Sequence, residues 1–275
     1  MRTIGLDHVA IAVKSREESI PVFRDTLGMK VGRSARSEAS GINNVHFPYE
    51  DGHYLALVEP LAPGNAVDRA IQKRGEGIYV LAIEIEDQEA AKQELSAKGV
   101  RLVNTAAARG PTFIHPQSAN GMFIQLRQRV WPDDPAGATR TSHPDAVYRW
   151  LDHVVIAVRN LEEAVANYRD NLGFQLARTA VSERMGIKQA FFALEDGHFI
   201  ELAEPLGPAT PMGRALERRG EGPYLICLAV RDMAERMRAL KAKGIQLIGG
   251  DKPGDQVFIH PKSAKGALIQ LIERK

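Results

Sequence analysis

The stretch LDHVVIAV at residues 151–158 decides the fold, because it nearly repeats LDHVAIAV at residues 6–13. In both stretches an Asp-His pair stands at the head of an apolar, β-branched run, which predicts a buried strand. The repeated histidine has two interpretations. It is either a ligand or base at the mouth of a pocket, or a packed residue at the start of a strand.

The repeat extends over almost the whole chain. A shift of 145 residues aligns Leu6–Leu126 with Leu151–Leu271 without a gap, and about 50 of roughly 120 aligned positions are identical. Between the copies, three prolines and several small polar residues are typical of a connector. We therefore predict a first domain at residues 1–129, a linker at 130–149 and a second domain at 150–275.

Composition limits the function classes. Charged residues make up 25% of the chain and the net charge is +2, without a run of Lys or Arg, which argues against nucleic-acid binding. No apolar run reaches the length of a membrane span, and the first residues lack the pattern of a secretory signal. The single cysteine, Cys227, excludes an intrachain disulfide. We therefore expect a cytoplasmic protein that acts on a small molecule, with homodimer formation left open.

Strands and helices follow the same order in each copy. LEEAVANYRDNLG at 161–173 predicts an amphipathic helix that ends at Gly173, and the turn EDG at 195–197 separates two strand-like runs. A second helix and further strands follow. Each copy is therefore predicted to contain two β-α-β-β-β modules, numbered 1 to 4 along the chain.

These motifs resemble the vicinal oxygen chelate superfamily, which includes glyoxalase I, extradiol dioxygenases, bleomycin-resistance proteins and methylmalonyl-CoA epimerase. The shared features are LDHV, the helix ending in RDxLG, EPL, RGEG followed by a strand, and HPKSAKG before the last strand. The chain is most similar to the epimerase branch. The resemblance implies an α+β fold of two tandem domains, in which two paired βαβββ modules form an eight-stranded cup around a pocket.

The resemblance also implies four metal ligands in each cup, one from each of four strands. The first is the histidine of LDHV, at His8 and His153. The second position holds Glu201 in copy two but Ala56 in copy one. The remaining positions depart from the family pattern: the third holds Val80 and Leu225, the fourth holds Gln125 and Gln270, and the position of the catalytic base holds Asn44 and Gln189.

A weakened metal site is the consequence. Catalytic metal sites usually keep three good protein ligands and an open position. Copy two offers His153, Glu201 and the neutral amide of Gln270. If the protein binds a divalent metal (Zn, Co, Ni, Mn or Fe), we therefore expect it in copy two. An extradiol dioxygenase needs two histidines and one carboxylate around iron, and neither copy supplies them.

Because side chains alternate along a strand, the residues that face the pocket can be predicted. In copy two these are His153, Gln189, Phe191, Phe199, Glu201, Leu225, Cys227 and Gln270. In copy one they are His8, Asn44, His46, Tyr54, Ala56, Val80 and Gln125. His46 is either a general base or an added ligand beside His8, or it is a histidine that is hydrogen-bonded at the rim. Arg33 and Arg178 recur on the second strand, where they either pair with an anionic substrate or remain as ordinary exposed arginines.

Three functional hypotheses follow. The first is an enzyme of the epimerase and glyoxalase type, which transfers a proton on a carboxylated, carbonyl or thioester substrate. In this hypothesis His153 and Glu201 are catalytic residues or metal ligands, and the other pocket residues bind the substrate. The second hypothesis is a metal-free binding protein of the resistance type. The third makes copy one a structural partner of a functional copy two, which is compatible with either of the others.

Overall fold

A computed structural model describes residues 1–104, 110–129, 140–252 and 255–275. The first copy forms modules 1 and 2. Its helices are α1 Arg16–Pro21, α2 Ala66–Arg74 and α3 Gln88–Ala97. Its strands are β1 Thr3–Ala12, β2 Ser34–Ser37, β3 Ile42–Pro48 and β4 Tyr54–Pro60 in module 1, followed by β5 Gly77–Ile85, β6 Leu102–Val103, β7 Thr112–Ile114 and β8 Phe123–Arg127 in module 2.

The second copy repeats these elements as modules 3 and 4. Its helices are α4 Leu161–Ala166, α5 Pro211–Arg219 and α6 Met233–Ala242. Its strands are β9 Leu151–Ala157, β10 Gln175–Ser182, β11 Ile187–Ala193 and β12 Phe199–Pro205 in module 3, followed by β13 Gly222–Val230, β14 Leu247–Ile248, β15 Val257–Ile259 and β16 Leu268–Glu273 in module 4.

The described strands form two eight-stranded sheets, one from each copy. Their orders are β2-β3-β4-β1-β5-β8-β7-β6 and β10-β11-β12-β9-β13-β16-β15-β14. Within each module the first strand pairs in parallel with the last, as β9 does with β12. The second, third and fourth strands of a module pair with one another antiparallel, as β10, β11 and β12 do. The predicted α+β fold of paired βαβββ modules is confirmed.

Local sequence explains where the first helix of each copy begins. The side chain of Ser15 accepts a hydrogen bond from the backbone N–H of Glu18, and that of Asn160 accepts one from Glu163. These caps satisfy N–H groups that the first turn leaves without a partner. Both helices continue into a π-helical turn, at Val22–Thr26 and Asn167–Asn171.

Contacts divide the chain into two compact units, each of which joins one module from each copy. Unit 1 consists of Met1–Asp7, Val80–Thr139 and His153–Tyr224, which brings together modules 2 and 3. Within it, the buried hydroxyl of Tyr168 donates a hydrogen bond of 3.1 Å to the backbone carbonyl of Ala119. This bond joins a helix of one copy to a loop of the other.

Unit 2 consists of His8–Tyr79, Arg140–Asp152 and Leu225–Lys275, which brings together modules 1 and 4. The buried hydroxyl of Tyr148 donates to the carbonyl of Leu27 at 3.1 Å. Residues 130–139 of the predicted linker lie outside the described residues, so the predicted domain boundaries stay a prediction. No helix among the described residues is long and apolar enough to cross a membrane.

Candidate functional site

Module 3 carries a group of polar and aromatic residues on one face of its sheet. Strand register places Phe191 opposite Glu201 and Gln189 opposite Ala203, while Phe199 lies beside His153 on the neighbouring strand. Because side chains alternate, these residues share a face. We call them the module-3 cluster: His153, Gln189, Phe191, Phe199 and Glu201.

Glu201 lies at the centre of this cluster and is buried. Its exposed fraction is 5%, and those of Gln189 and His153 are 7% and 6%. The Gln189 amide Nε2 donates a hydrogen bond of 2.7 Å to Glu201 Oε1. The other carboxylate oxygen, Oε2, lies 3.8 Å from His153 Nε2. One oxygen is therefore fixed by an amide, and the second lies next to an imidazole.

This environment changes the acidity of Glu201. Burial raises the pKa of its carboxyl above the ordinary value, because the charged form loses its water. The Gln189 hydrogen bond and the charges of His153 and Arg178 act in the opposite direction without cancelling the rise. A carboxylate whose pKa is raised holds a proton more strongly, which suits a general base.

Ring contacts connect the aromatic residues of the cluster with His153 and with Arg178. The His153 ring stacks on Phe199 at a centroid distance of 4.4 Å, and Phe191 meets Phe199 edge-on at 5.6 Å. The guanidinium carbon of Arg178 lies 3.6 Å from the centre of the Phe191 ring. Arg178 is exposed, so it presents a positive charge beside the buried carboxylate.

Module 1 places the corresponding positions in the same strand register, within unit 2, but with different side chains. Tyr54 stacks between two histidines, at 4.5 Å from His8 and 4.1 Å from His46. Ala56 takes the position of Glu201, so the described residues put no carboxylate there. The side-chain oxygen of Asn44 is buried and has no hydrogen-bond partner among the described residues. Module 1 therefore offers aromatic surface and an acceptor, but lacks the acid of module 3.

The remaining predicted site residues belong to modules 2 and 4. In unit 1, Gln125 lies opposite Ala82, and Ala82 stands two residues after the buried Val80 on the same strand. In unit 2, Gln270 lies opposite Cys227, and Leu225 and Cys227 are both buried. Alternation therefore puts each glutamine on the same face as the apolar residue that replaces the family's third ligand.

The residues of the module-3 cluster do not fit a catalytic metal ion. The cluster supplies one imidazole and one carboxylate, and an amide already binds one oxygen of that carboxylate. Catalytic sites for divalent metals generally use three protein ligands. Leu225 and Val80, at the third position, carry only hydrocarbon. We therefore derive no chemical step from a metal.

Comparison with known proteins identifies the family. The sequence pattern described as the Glyoxalase/Bleomycin resistance protein/Dioxygenase superfamily matches residues 7–114 and again residues 152–258. The chain belongs to this superfamily. Its two matches confirm the duplication and the resemblance that the sequence motifs indicate.

Similar proteins include two epimerases, by sequence, and a synthase, by fold. The ethylmalonyl-CoA/methylmalonyl-CoA epimerase of Cereibacter sphaeroides is 35% identical over 128 residues, which are 44% of this chain and 95% of that protein. The mitochondrial methylmalonyl-CoA epimerase of Bos taurus is 30% identical, over 56% of this chain and 93% of that protein.

A mutant of 4-hydroxymandelate synthase from Streptomyces coelicolor matches all of this chain and 94% of its own, with a TM-score of 0.76 and 16% identity. That likeness shows the fold alone.

The role of Arg178 is the least predictable from the sequence. Its recurrence as Arg33 is visible in the repeat, but its contact with Phe191 depends on local strand geometry.

Proposed function

We propose that the protein is an enzyme that transfers a proton to and from a carbon next to a carbonyl group, with Glu201 as the base. The observation that carries this proposal is a buried carboxylate whose pKa is raised by burial and which is held by Gln189 beside His153. A base of this kind is effective when its pKa approaches the working pH.

The chemistry assigns a role to each residue of the cluster. The Oε2 oxygen of Glu201 takes the proton as the C–H bond breaks, and the electron pair moves onto the carbonyl oxygen to give an enolate. Gln189 holds Oε1 and thereby fixes the direction of the carboxylate. His153 lies 3.8 Å from Oε2. It can donate a hydrogen bond to the carbonyl oxygen of the substrate, which becomes negative in the enolate. Phe191 and Phe199 keep water away from the carboxylate.

The substrate class is a small carboxylated, carbonyl or thioester compound. The relatives named as epimerases of methylmalonyl-CoA and ethylmalonyl-CoA support acyl-CoA thioesters as the first substrates to test. We place the active site in copy two, because copy one has Ala56 in place of Glu201. We further expect a cytoplasmic protein, and homodimer formation stays a prediction that light scattering would test.

A second candidate function is ligand binding without turnover, as in a resistance-type protein. The stacked rings of His8, Tyr54 and His46 favour it for module 1, where the described residues provide a surface for a planar ligand but no carboxylate at the position of Glu201. It predicts binding that is independent of Glu201. An extradiol dioxygenase receives no support, because the module-3 cluster has one histidine where that chemistry needs two.

Deuterium exchange tests the proposal. Methylmalonyl-CoA, ethylmalonyl-CoA and pyruvate would be incubated in D2O with the wild-type protein, and uptake of deuterium next to the carbonyl would be followed by mass spectrometry. We expect exchange of at least one substrate, and a loss of about 100- to 10,000-fold in Glu201→Gln. Glu183→Gln is the matched control, because Glu183 is exposed in the turn after β10. Equal rates in wild type and Glu201→Gln would contradict the proposal.

A further inference from the structure

Arg236 on α6 is a buried cation within unit 2. Its exposed fraction is 8%, and its Nε atom has no hydrogen-bond partner among the described residues. No carboxylate of the described residues forms an ion pair with its guanidinium. Moving a charge from water into a protein costs free energy unless an opposite charge or hydrogen bonds compensate for it. The side chain is therefore suited to bind an anion.

The groups that surround the guanidinium supply no acid. Its central carbon lies 5.5 Å from the centre of the Tyr148 ring. A Cβ added at Gly28 would lie 3.4 Å from Nη1 and 3.6 Å from Nη2, so both terminal nitrogens lie beside this glycine. Gly28 has a φ of 72° and carries no side chain that could cover them. Val147, which borders the same space, is 37% exposed, so the space lies close to solvent.

The local charge around Arg236 is positive. Lys243, at the end of α6, is seven residues further along, which places it on the same face of the helix. Its ammonium group donates to the backbone carbonyl of Asp25, while the carboxylate of Asp25 pairs with Arg24 at 2.6 Å. The end of a helix contributes only about half a negative charge. It therefore offsets only part of the two positive charges from α6.

The corresponding place in unit 1 contains the acid that this part of unit 2 lacks. Gly173 is the repeat partner of Gly28, and the Oε1 atom of Glu94 lies 3.5 Å from a Cβ added at Gly173. Glu94 also accepts a hydrogen bond of 2.9 Å from Lys98. In copy two the position of Glu94 holds Ala239. The same fold thus places a carboxylate beside this glycine in one unit and leaves it out in the other.

We propose that Arg236 is the anchor of a binding site for an oxyanion, which is the phosphate or carboxylate group of a small molecule. Its terminal nitrogens bind two oxygens of the anion in a bidentate pair, with N···O distances of about 2.7–2.9 Å. Lys243 adds attraction from the same helix face. The Tyr148 ring holds the guanidinium through a cation–π contact. The site uses no residue of the module-3 cluster, so it is independent of the proposed proton transfer.

Two substitutions change the site in opposite ways. Arg236→Met removes the charge and keeps most of the length of the side chain. Ala239→Glu supplies a carboxylate at the position that Glu94 has in unit 1. Residue 239 is three residues after Arg236 and four before Lys243, and residues at these spacings are neighbours on a helix. Arg238→Met is the matched control, because Arg238 is an exposed arginine of the same helix.

Calorimetric titration with inorganic phosphate and with acetate, in a Tris-chloride buffer of low ionic strength, measures the binding. We expect at least one of these anions to bind the wild-type protein with a Kd of about 1 mM or lower. Arg236→Met and Ala239→Glu should each bind it at least about tenfold more weakly. Arg238→Met and Glu201→Gln should bind like wild type. Ala239→Glu should also raise the unfolding temperature in the anion-free buffer, because its carboxylate pairs with a buried guanidinium.

The inference is overturned if neither anion binds the wild-type protein at about 10 mM. Equal binding by Arg236→Met, or an equal loss of affinity in Arg238→Met, would also overturn it. If Arg236→Met does not fold, Ala239→Glu decides, since an unchanged affinity in that variant contradicts the site. Tighter binding of phosphate would assign the site to a phosphate group, and tighter binding of acetate would assign it to a carboxylate.

Discussion

Replacing Gln189 by leucine tests the electrostatic account of the buried carboxylate. The substitution keeps the size of the side chain and removes the donor that binds Glu201 Oε1 at 2.7 Å. Both side chains are buried, so water cannot replace the lost bond. A hydrogen bond to a charged group contributes about 1.5–3 kcal/mol to stability, and one between neutral groups about 0.5–1.5 kcal/mol.

The loss of stability should therefore depend on pH. The pKa of Glu201 is raised in the folded protein. The protonated carboxyl therefore contributes fully to the free energy of unfolding below the unfolded pKa, and this contribution is lost as pH rises through the folded pKa. The Gln189 bond lowers that pKa, and removing the bond raises it further. We expect Gln189→Leu to lower the free energy of unfolding by about 1 kcal/mol where Glu201 is protonated, and by about 2–3 kcal/mol where it is ionised.

Urea unfolding of four proteins from pH 4 to pH 9 measures this difference. The proteins are wild type, Gln189→Leu, Glu201→Gln and the double variant. In the Glu201→Gln background the effect of Gln189→Leu should no longer depend on pH, because no charge forms at position 201. A loss that is the same at every pH in the wild-type background, or effects that simply add in the double variant, would refute the reasoning.

Two further predictions concern the stability of unit 1, and a third concerns whether exchange depends on a metal. Tyr168→Phe should lower the free energy of unfolding by about 1–2 kcal/mol in urea, because it removes the buried bond to Ala119; an unchanged midpoint would contradict this. Gly121→Ala should cost at least about 2 kcal/mol more than Gly99→Ala, because its added Cβ would lie 2.0 Å from the carbonyl of Glu221 while nothing lies within 4 Å at Gly99. Thermal unfolding of the two variants compares them. Dialysis against EDTA should leave deuterium exchange within about twofold of its initial rate, because the cluster lacks three ligands; loss of exchange that zinc or cobalt restores would contradict it.

Much of the fold and part of the candidate site follow from the sequence. The 145-residue repeat requires two similar folds, and the period of two along HFIELAEP puts Phe199 and Glu201 on one face. The same alternation brings Gln189 and Phe191 to that face from the neighbouring strand. These inferences succeed because they depend on local periodicity, which any strand must obey.

Other features depend on contacts between distant parts of the chain. A β-bulge at Ala177 shifts the register of β10 by one residue, and nothing in FQLARTAV marks where a strand gains an extra residue. Strict alternation alone therefore cannot assign a face to Arg178. The pairing of module 2 with module 3 in one compact unit, held in part by Tyr168 and Ala119, also joins residues far apart in sequence. Periodicity carries no information about such contacts.

The pH dependence of deuterium exchange in wild type and Glu201→Gln tests the central claim most directly. If Glu201 is the base, the wild-type rate should fall at low pH with a midpoint above the ordinary pKa of a glutamic acid, and this fall should be absent from the residual rate of Glu201→Gln. A profile that Glu201→Gln leaves unchanged would show that another group takes the proton, and would contradict the account.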